Sequence, residues 1–312
     1  MAKADLPIYE TQLPRLVSGN GVSIREDVLY SNAKGDADDR SRKRAEDALA
    51  DLREVLPGLL EPNEAILYVI KSCQAPIGAL EQLFLGWYVY RVTATRLVFT
   101  NLRLLHFGLG SGGKWNRTLK SVRWGDVSEA RVKGWINRLL ELRYADGKKE
   151  KYWRLRRKDG QKAKVILAAA LPLSRGESTP AQGFQSLCPD CRAPLTTRNY
   201  QCGGCGLKFK DEKTLLRRTI LIPGGGYLYA GITFLGVVAF LTEGIFALGV
   251  IFSLLMVLGL MAPGTGENGR QMQSGEYWGG TLVFAIILGF NKALEYIHGQ
   301  RVIRTFVPLK KP

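Results

Sequence analysis

Histidine is nearly absent from this 312-residue chain; there are two, His106 and His298. They stand in different regions, and neither has a Ser-His-Asp or Cys-His arrangement around it, so the usual base for nucleophilic catalysis is missing. Acidic residues are scarce as well, 28 against 44 Lys and Arg, for a formal net charge of +16. Met1 to Arg15 contains no apolar run of the kind a secretory leader carries, so the residues that follow are expected to stay on the side of synthesis. The most informative absence lies late in the chain. No charged side chain occurs from Ile220 to Thr242, and after Glu243 none occurs from Gly244 to Ala262. A helix rises ~1.5 Å per residue, so each stretch is long enough for the ~30 Å apolar layer of a bilayer.

What charge there is lies in one block. Between Arg91 and Ala170 stand twenty Lys and Arg and six Asp and Glu, which is nearly all of the net charge. A basic block of this density suits an anionic lipid leaflet or a nucleic acid, and attachment to a membrane favours the leaflet.

Ala45, Leu49, Leu52 and Leu56 recur at helical steps and predict an amphipathic helix ended by Pro57-Gly58. From Ala65 to about Arg157 the pattern is β. Ala65–Cys73, Leu83–Val92, Leu97–Thr100, Arg103–Gly108, Arg117–Trp124, Val127–Val132, Leu139–Tyr144 and Lys151–Arg157 read as short strands separated by turn residues. Asp146-Gly147 is the clearest hairpin. Gln161–Leu171, rich in alanine, predicts a closing helix. Gly108–Gly113 lacks the spacing of a phosphate loop and reads as a hairpin.

The segments Arg96–Phe107, Ser121–Val132 and Leu139–Lys149 carry a Thr-Asn-x-Arg-Leu turn, a Trp-x-Asp-Val step and a strand ending in Asp-Gly. Together they resemble the bacterial pleckstrin-homology-like (PH-like) and GRAM-type domains over about a third of the chain. That resemblance implies a small antiparallel barrel or sandwich with a helix, a lipid-surface or scaffolding role, and no catalytic residue.

Four of the five cysteines form two C-x-x-C pairs, Cys188 and Cys191, then Cys202 and Cys205. In a reducing compartment this spacing reads as metal ligation and resembles a zinc ribbon. Gly203, Gly204 and Gly206 permit a tight, partly left-handed turn. Four thiolates leave no open position, so zinc here is structural; rubredoxin-like iron shares the ligand set, and a redox dithiol shares the spacing. Cys73 lies in an apolar strand and is expected to be a buried, inert thiol.

Lys208, Lys210, Lys213, Arg217 and Arg218 precede the first apolar stretch and hold that end in the cytoplasm by the positive-inside rule. Ile222–Val238 resembles the Pro-Gly-x-Gly-x-x-Tyr-x-Gly start of membrane hairpins related to the TM2 domain, without the charges that follow it in that family. Thr242-Glu243-Gly244 reads as the external turn of the hairpin. Trp278–Phe290, extended to Ile297, reads as a third crossing, which would export the basic C-terminal residues, or as an interfacial or re-entrant helix, which would keep them inside.

The expected organisation is multidomain. It comprises an N-terminal segment of little order (1–40), an amphipathic helix (41–60), the basic PH-like β-domain (61–172) and a linker (173–185). A zinc ribbon (186–210), a transmembrane hairpin (214–262), a loop (263–277), a third apolar helix in the membrane (278–297) and a basic tail (298–312) follow. The expected function is that of a non-enzymatic adaptor in the bacterial inner membrane, with its soluble parts cytoplasmic. It would meet the anionic leaflet, and a protein partner of unknown identity, through Arg131, Lys133, Trp135, Arg138, Lys148, Lys149, Lys151, Arg154, Arg156, Arg157 and Lys158. A membrane-tethered nucleic-acid binder is the alternative; an enzyme or transporter subunit ranks lower, because the apolar stretches carry no series of charges.

Overall fold

The computed structural model describes residues 17–18, 22–76, 92–110, 112–135, 138–173, 183–261 and 274–309. They fall into two compact units, Met1–Lys208 with Lys310–Pro312, and Phe209–Leu309.

Alternating placement of apolar side chains buries both faces of the first unit's sheet at its central strands. Leu97 and Phe99 join one core and Val98 the other; Leu104 joins the first, Leu105 and Phe107 the second. After a two-stranded β1 (Val17–Ser18) and β2 (Val22–Ser23) come eight strands of one sheet. They are β3 (Ile66–Gln74), β4 (Ala94–Thr100), β5 (Arg103–Leu109), β6 (Trp115–Arg123), β7 (Val127–Lys133), β8 (Arg138–Tyr144), β9 (Lys149–Leu155) and β10 (Gln185–Leu187). Their spatial order is β10-β6-β5-β4-β3-β9-β8-β7, and each neighbouring pair is antiparallel. Helix α4 (Arg157–Leu173) covers the first core with Ala163, Ile166, Leu167 and Ala170. The second core is covered by residues of α1 (Glu26–Leu29), α2 (Asp39–Ala50) and α3 (Leu56–Leu59). Cys73 is 2% exposed, as an apolar strand requires.

The Thr-Asn-x-Arg turn between β4 and β5 is built on buried charge. Arg103 donates to both carboxylate oxygens of Glu64, at 2.9 and 2.8 Å, and to the Leu59 carbonyl at 2.7 Å. Thr100 donates to the same carboxylate at 2.7 Å, and Asn101 accepts from the Ala65 N–H at 2.8 Å. The turn residues are therefore fixed by pairing to the segment ahead of β3.

The first unit departs from the sequence reading in two places. Little order is expected before residue 40, yet Val22, Ile24 and Leu29 are core residues. The amphipathic helix stops at Ala50, and Pro57 stands in the first turn of α3. Proline lacks an N–H and suits a helix start, so it opens a new turn here instead of closing the old one. All but Val92 of the strand expected at Leu83–Val92, most of the linker at 173–185 and most of the loop at 263–277 lie outside the described residues.

In the second unit, breakers divide the first apolar stretch. α5 (Glu212–Leu221), capped by Asp211, which accepts from the Thr214 N–H at 2.8 Å, ends before Pro223. α6 (Gly225–Ala230) is bounded by Gly224 and Gly231, both left-handed at φ 62° and 92°. A Cβ at Gly224 would lie 2.2 Å from the Gly236 carbonyl oxygen, so only glycine fits there. α7 (Thr233–Val257) and α8 (Ser274–Ile303) follow. Among the described residues two helices are long and apolar enough to cross a membrane, Thr233–Val257 and Trp278–Ile303, with mean hydropathies of 2.2 and 1.4.

This corrects the expected hairpin over 214–262 and the three crossings. Glu243 is not in a turn; it lies within α7 and is 1% exposed. One glycine in a helix costs only ~1 kcal/mol, too little to break so long an apolar run. Thr242 bonds back to the Val238 carbonyl at 3.0 Å and stays helical, while Glu243 finds a cation.

Candidate metal centre and basic surface

Two knuckles bring the four paired cysteines together. In the first, the Cys188 N–H donates to the Ala193 carbonyl and the Arg192 N–H to the Cys188 carbonyl, both at 2.9 Å. In the second, the Cys202 N–H donates to the Leu207 carbonyl at 2.9 Å and the Gly206 N–H to the Cys202 carbonyl at 3.0 Å. The residue after each second cysteine is left-handed, Arg192 at φ 63° and Gly206 at 75°. A left-handed φ favours glycine at 206, although Arg192 takes the same conformation in the other knuckle; Gly203 opens on empty space, and a Cβ at Gly204 would crowd Cys191 Sγ at 3.2 Å.

The sulfurs of Cys188, Cys191, Cys202 and Cys205 all lie within 4.8 Å of one another. Cys188 and Cys205 are 3.6 Å apart, Cys191 and Cys202 3.4 Å. Bonds of ~2.3 Å to a tetrahedral ion separate sulfurs by about 3.8 Å, so the set can hold one metal ion with little movement. The knuckles are fastened to the sheet. β10 leads into them as an edge strand on β6, and Arg117 on β6 pairs with Asp190.

The basic residues fall into two groups. Directly paired residues share a face of a sheet. Arg131, Glu141 and Lys151 form one row across β7, β8 and β9; Glu129, Arg143 and Lys149 form the next. Lys133 joins this face, 2.9 Å from Glu141. Arg131 pairs with Glu129, Arg143 lies 3.8 Å from Glu129, and Lys151 lies 3.9 Å from Glu141. Five exposed cations therefore face two carboxylates. Trp135, in the β7–β8 turn, is 75% exposed. Lys148, in the β8–β9 turn, pairs with Asp146 at 2.7 Å. Arg143 was not among the expected contacts; its place two residues beyond Glu141 on one strand was the available signal.

The other residues lie elsewhere. Arg138 packs its side chain against Gly160 on α4. Arg154 sits in β9 at φ 59°, and Arg156, Arg157 and Lys158 follow at the junction of β9 with α4.

Sequence reasoning missed a third cluster, in the second unit. Lys292 on α8 lies 2.7 Å from Glu243 on α7 and 3.3 Å from Glu295. Glu243 accepts from the Gly224 N–H at 2.8 Å; Glu295 accepts from the N–H groups of Gly226 and Tyr227 at 2.6 and 3.1 Å. Tyr227 and His298 share a hydrogen bond of 2.8 Å. The available signal was a lone acid within an apolar run and an i, i+3 Lys–Glu pair in another. The chain matches no protein-family model, no curated protein and no solved structure.

Proposed function

We propose that this chain is a non-enzymatic adaptor anchored in a membrane. In this reading α7 and α8 cross the bilayer, and the eight-stranded domain is a PH-like module resting on the anionic cytoplasmic leaflet. The cysteine knuckles hold a structural zinc ion and offer a firm knob to a protein partner. The observation that carries the reading is the β7–β9 face, with Arg131, Lys133, Arg143, Lys149 and Lys151 in a chain that also has two helices able to span. A Lys or Arg at an anionic surface contributes about 1 kcal/mol. Five cations less two carboxylates leave roughly 3 kcal/mol, weak for a free domain and sufficient for a tethered one.

Two crossings, unlike three, put both flanks on one side. Arg217 and Arg218 ahead of the helices then share a compartment with Arg304 and the basic tail after them, which agrees with the positive-inside rule and supports an inner-membrane location. The likeness to TM2-type anchors is kept at the Pro-Gly start, with α8 making the return.

The test uses the whole chain in nanodiscs whose lipids carry a tryptophan quencher, with Trp135→Phe as the subtraction control. Quenching of Trp135 is expected in anionic discs and not in neutral ones, and it should vanish with salt or with a combined Arg131→Glu, Lys149→Glu and Lys151→Glu change. Equal quenching in both lipids, unaffected by salt, would remove the proposal.

A further inference from the structure

A second basic site lies away from the β7–β9 face, between α2, β3 and the start of α4. Two adjoining clefts meet there and share Ser41 and Tyr68. The smaller, of about 160 Å³, is lined by Arg44, Lys71 and Arg156 with the hydroxyl residues Ser41 and Ser72. The larger, of about 410 Å³, is lined by Lys34, Lys158 and Lys162. Six cations thus line the two clefts, which also hold two carboxylates, Asp159 in the first and Asp38 in the second.

Both acids are already engaged. Asp159 accepts from the Tyr68 hydroxyl at 2.8 Å. Asp38 caps α2, accepting from the Arg40 N–H at 3.1 Å and the Ser41 hydroxyl at 2.8 Å, with Lys158 at 3.5 Å. Lys71 has Asp47 at 3.3 Å. Among the described residues Arg44 commits only its Nε, to the Arg40 carbonyl at 3.0 Å. Arg156 makes no hydrogen bond or close ion pair among the described residues, although its charge acts on Asp159.

The floor of the larger cleft adds an independent observation. Lys162 is 1% exposed, and its ammonium is held by the Ser31 hydroxyl at 2.7 Å and the Asn32 carbonyl at 3.0 Å. Among the described residues no carboxylate is within ion-pair distance of it. Burial pulls its pKa down to about 8. The Asp27 charge acts on it only from beyond ion-pair distance, and a closer anion in the cleft would offset part of the cost of burial.

We propose that these adjoining clefts bind a phosphate-bearing ligand, with a phosphate in the smaller cleft beside Arg44 and Arg156 and the rest of the ligand, carrying further negative charge, in the larger one beside Lys162. Guanidinium forks match phosphate oxygens in pairs, Lys71 adds a point charge, and Ser72 adds a donor. The inference does not rest on the leaflet-facing role of β7–β9, since none of that face's five cations lines either cleft. The phosphate can come from a lipid headgroup or from a soluble molecule.

The experiment takes the whole chain in nanodiscs of neutral phosphatidylcholine and titrates inorganic phosphate and pyrophosphate calorimetrically. A parallel arm measures affinity for vesicles doped with phosphatidic acid. At least one probe should bind saturably, and Arg44→Gln or Arg156→Gln, both on side chains outside the core, should weaken it about tenfold, or by ~1.4 kcal/mol. Arg53→Gln, on an exposed side chain that lines neither cleft, is the control and should leave that affinity unchanged. Binding of the soluble anions points to a soluble ligand; cleft-dependent binding of phosphatidic acid alone points to a headgroup. Absence of saturable binding with all three probes, or equal losses in Arg156→Gln and Arg53→Gln, overturns the assignment.

Discussion

Lys292 on α8 lies 2.7 Å from Glu243 on α7, and the contact explains how an acid persists inside an apolar helix. The same ammonium donates to the Ile222 carbonyl at 2.9 Å and reaches Glu295. The two carboxylates in turn accept from the N–H groups of Gly224, Gly226 and Tyr227, around the start of α6. Such N–H groups have no partner within their own helix. The short helix after Pro223 and the buried acids therefore satisfy one another, and one cation offsets part of their charge.

Removing that cation is expected to be severe. Lys292→Met leaves two buried carboxylates without it, which should cost about 3–5 kcal/mol. Adding Glu243→Gln in the same chain should recover part of the loss, because it removes the repulsion between the acids. Unfolding of the purified chain in detergent reads both effects. A single variant within ~0.5 kcal/mol of the parent would show that the cluster is not a stability element.

The cysteine site should bind one metal ion per chain, and zinc is expected on elemental analysis. Structural zinc contributes about 10–16 kcal/mol to domains of this kind, more than so short a segment can supply from its own core. Chelation or Cys202→Ser should therefore remove hydrogen-exchange protection from the two knuckles and β10 while β3 to β5 stay protected. Cys73→Ser should leave the metal content unchanged. Iron in place of zinc would change the cofactor; no metal at all would end the metal reading.

These features were unequally legible in the sequence. The strands could be read because short runs such as Leu97, Val98 and Phe99 are rich in β-favouring side chains and stop at turn residues such as Asn101, and the β8–β9 turn because Asp146-Gly147 is local chemistry, with Gly147 at φ 81°. The cysteines could be read because their spacing is local too. Glu243 could not, since its partner Lys292 is far along the chain and only tertiary structure joins them. The end of α2 was obscured because Leu52 and Leu56 remain buried after the helix has stopped, so the apolar period outlasts the element. Arg192 in a left-handed turn carries no compositional signal at all.

The Arg103–Glu64 pair should govern the stability of the first unit. Glu64 has no exposed side-chain surface, and Arg103 satisfies both of its oxygens. Arg103→Ala should destabilise the unit by about 3–5 kcal/mol by leaving a buried charge unpaired. Arg103→Lys should restore little, because an ammonium cannot reproduce the planar fork or the bond to the Leu59 carbonyl. Denaturant unfolding followed by tryptophan fluorescence separates the two, as Trp124 is buried in that core and donates to the Thr100 carbonyl at 2.9 Å. Full rescue by lysine would show that charge alone, without geometry, holds the turn.

His106 should make the first unit sensitive to mild acid. Its Nδ1 lies 3.2 Å from the Tyr152 hydroxyl, and the rings of Tyr152 and Phe184 stand edge-on at 5.7 and 5.9 Å. Lys120 is its direct partner on β6, and Glu150 accepts from the Tyr152 hydroxyl at 3.2 Å. Burial, and then the Lys120 charge, push the imidazole pKa down to about 3 from 6.5. The unfolded chain therefore takes up a proton that the folded chain refuses between those values. This contribution is complete above pH 6.5 and is lost as the pH falls toward 3, with a slope of at most about 1.4 kcal/mol per pH unit. Burial raises the Glu150 pKa and so acts in the opposite sense, which makes a variant comparison necessary. His106→Asn should be less stable than the parent at neutral pH, and the gap should narrow on acidification. Urea midpoints measured from about pH 4 to pH 7 would show it, and a constant gap across that range would mean that His106 does not titrate between the two states.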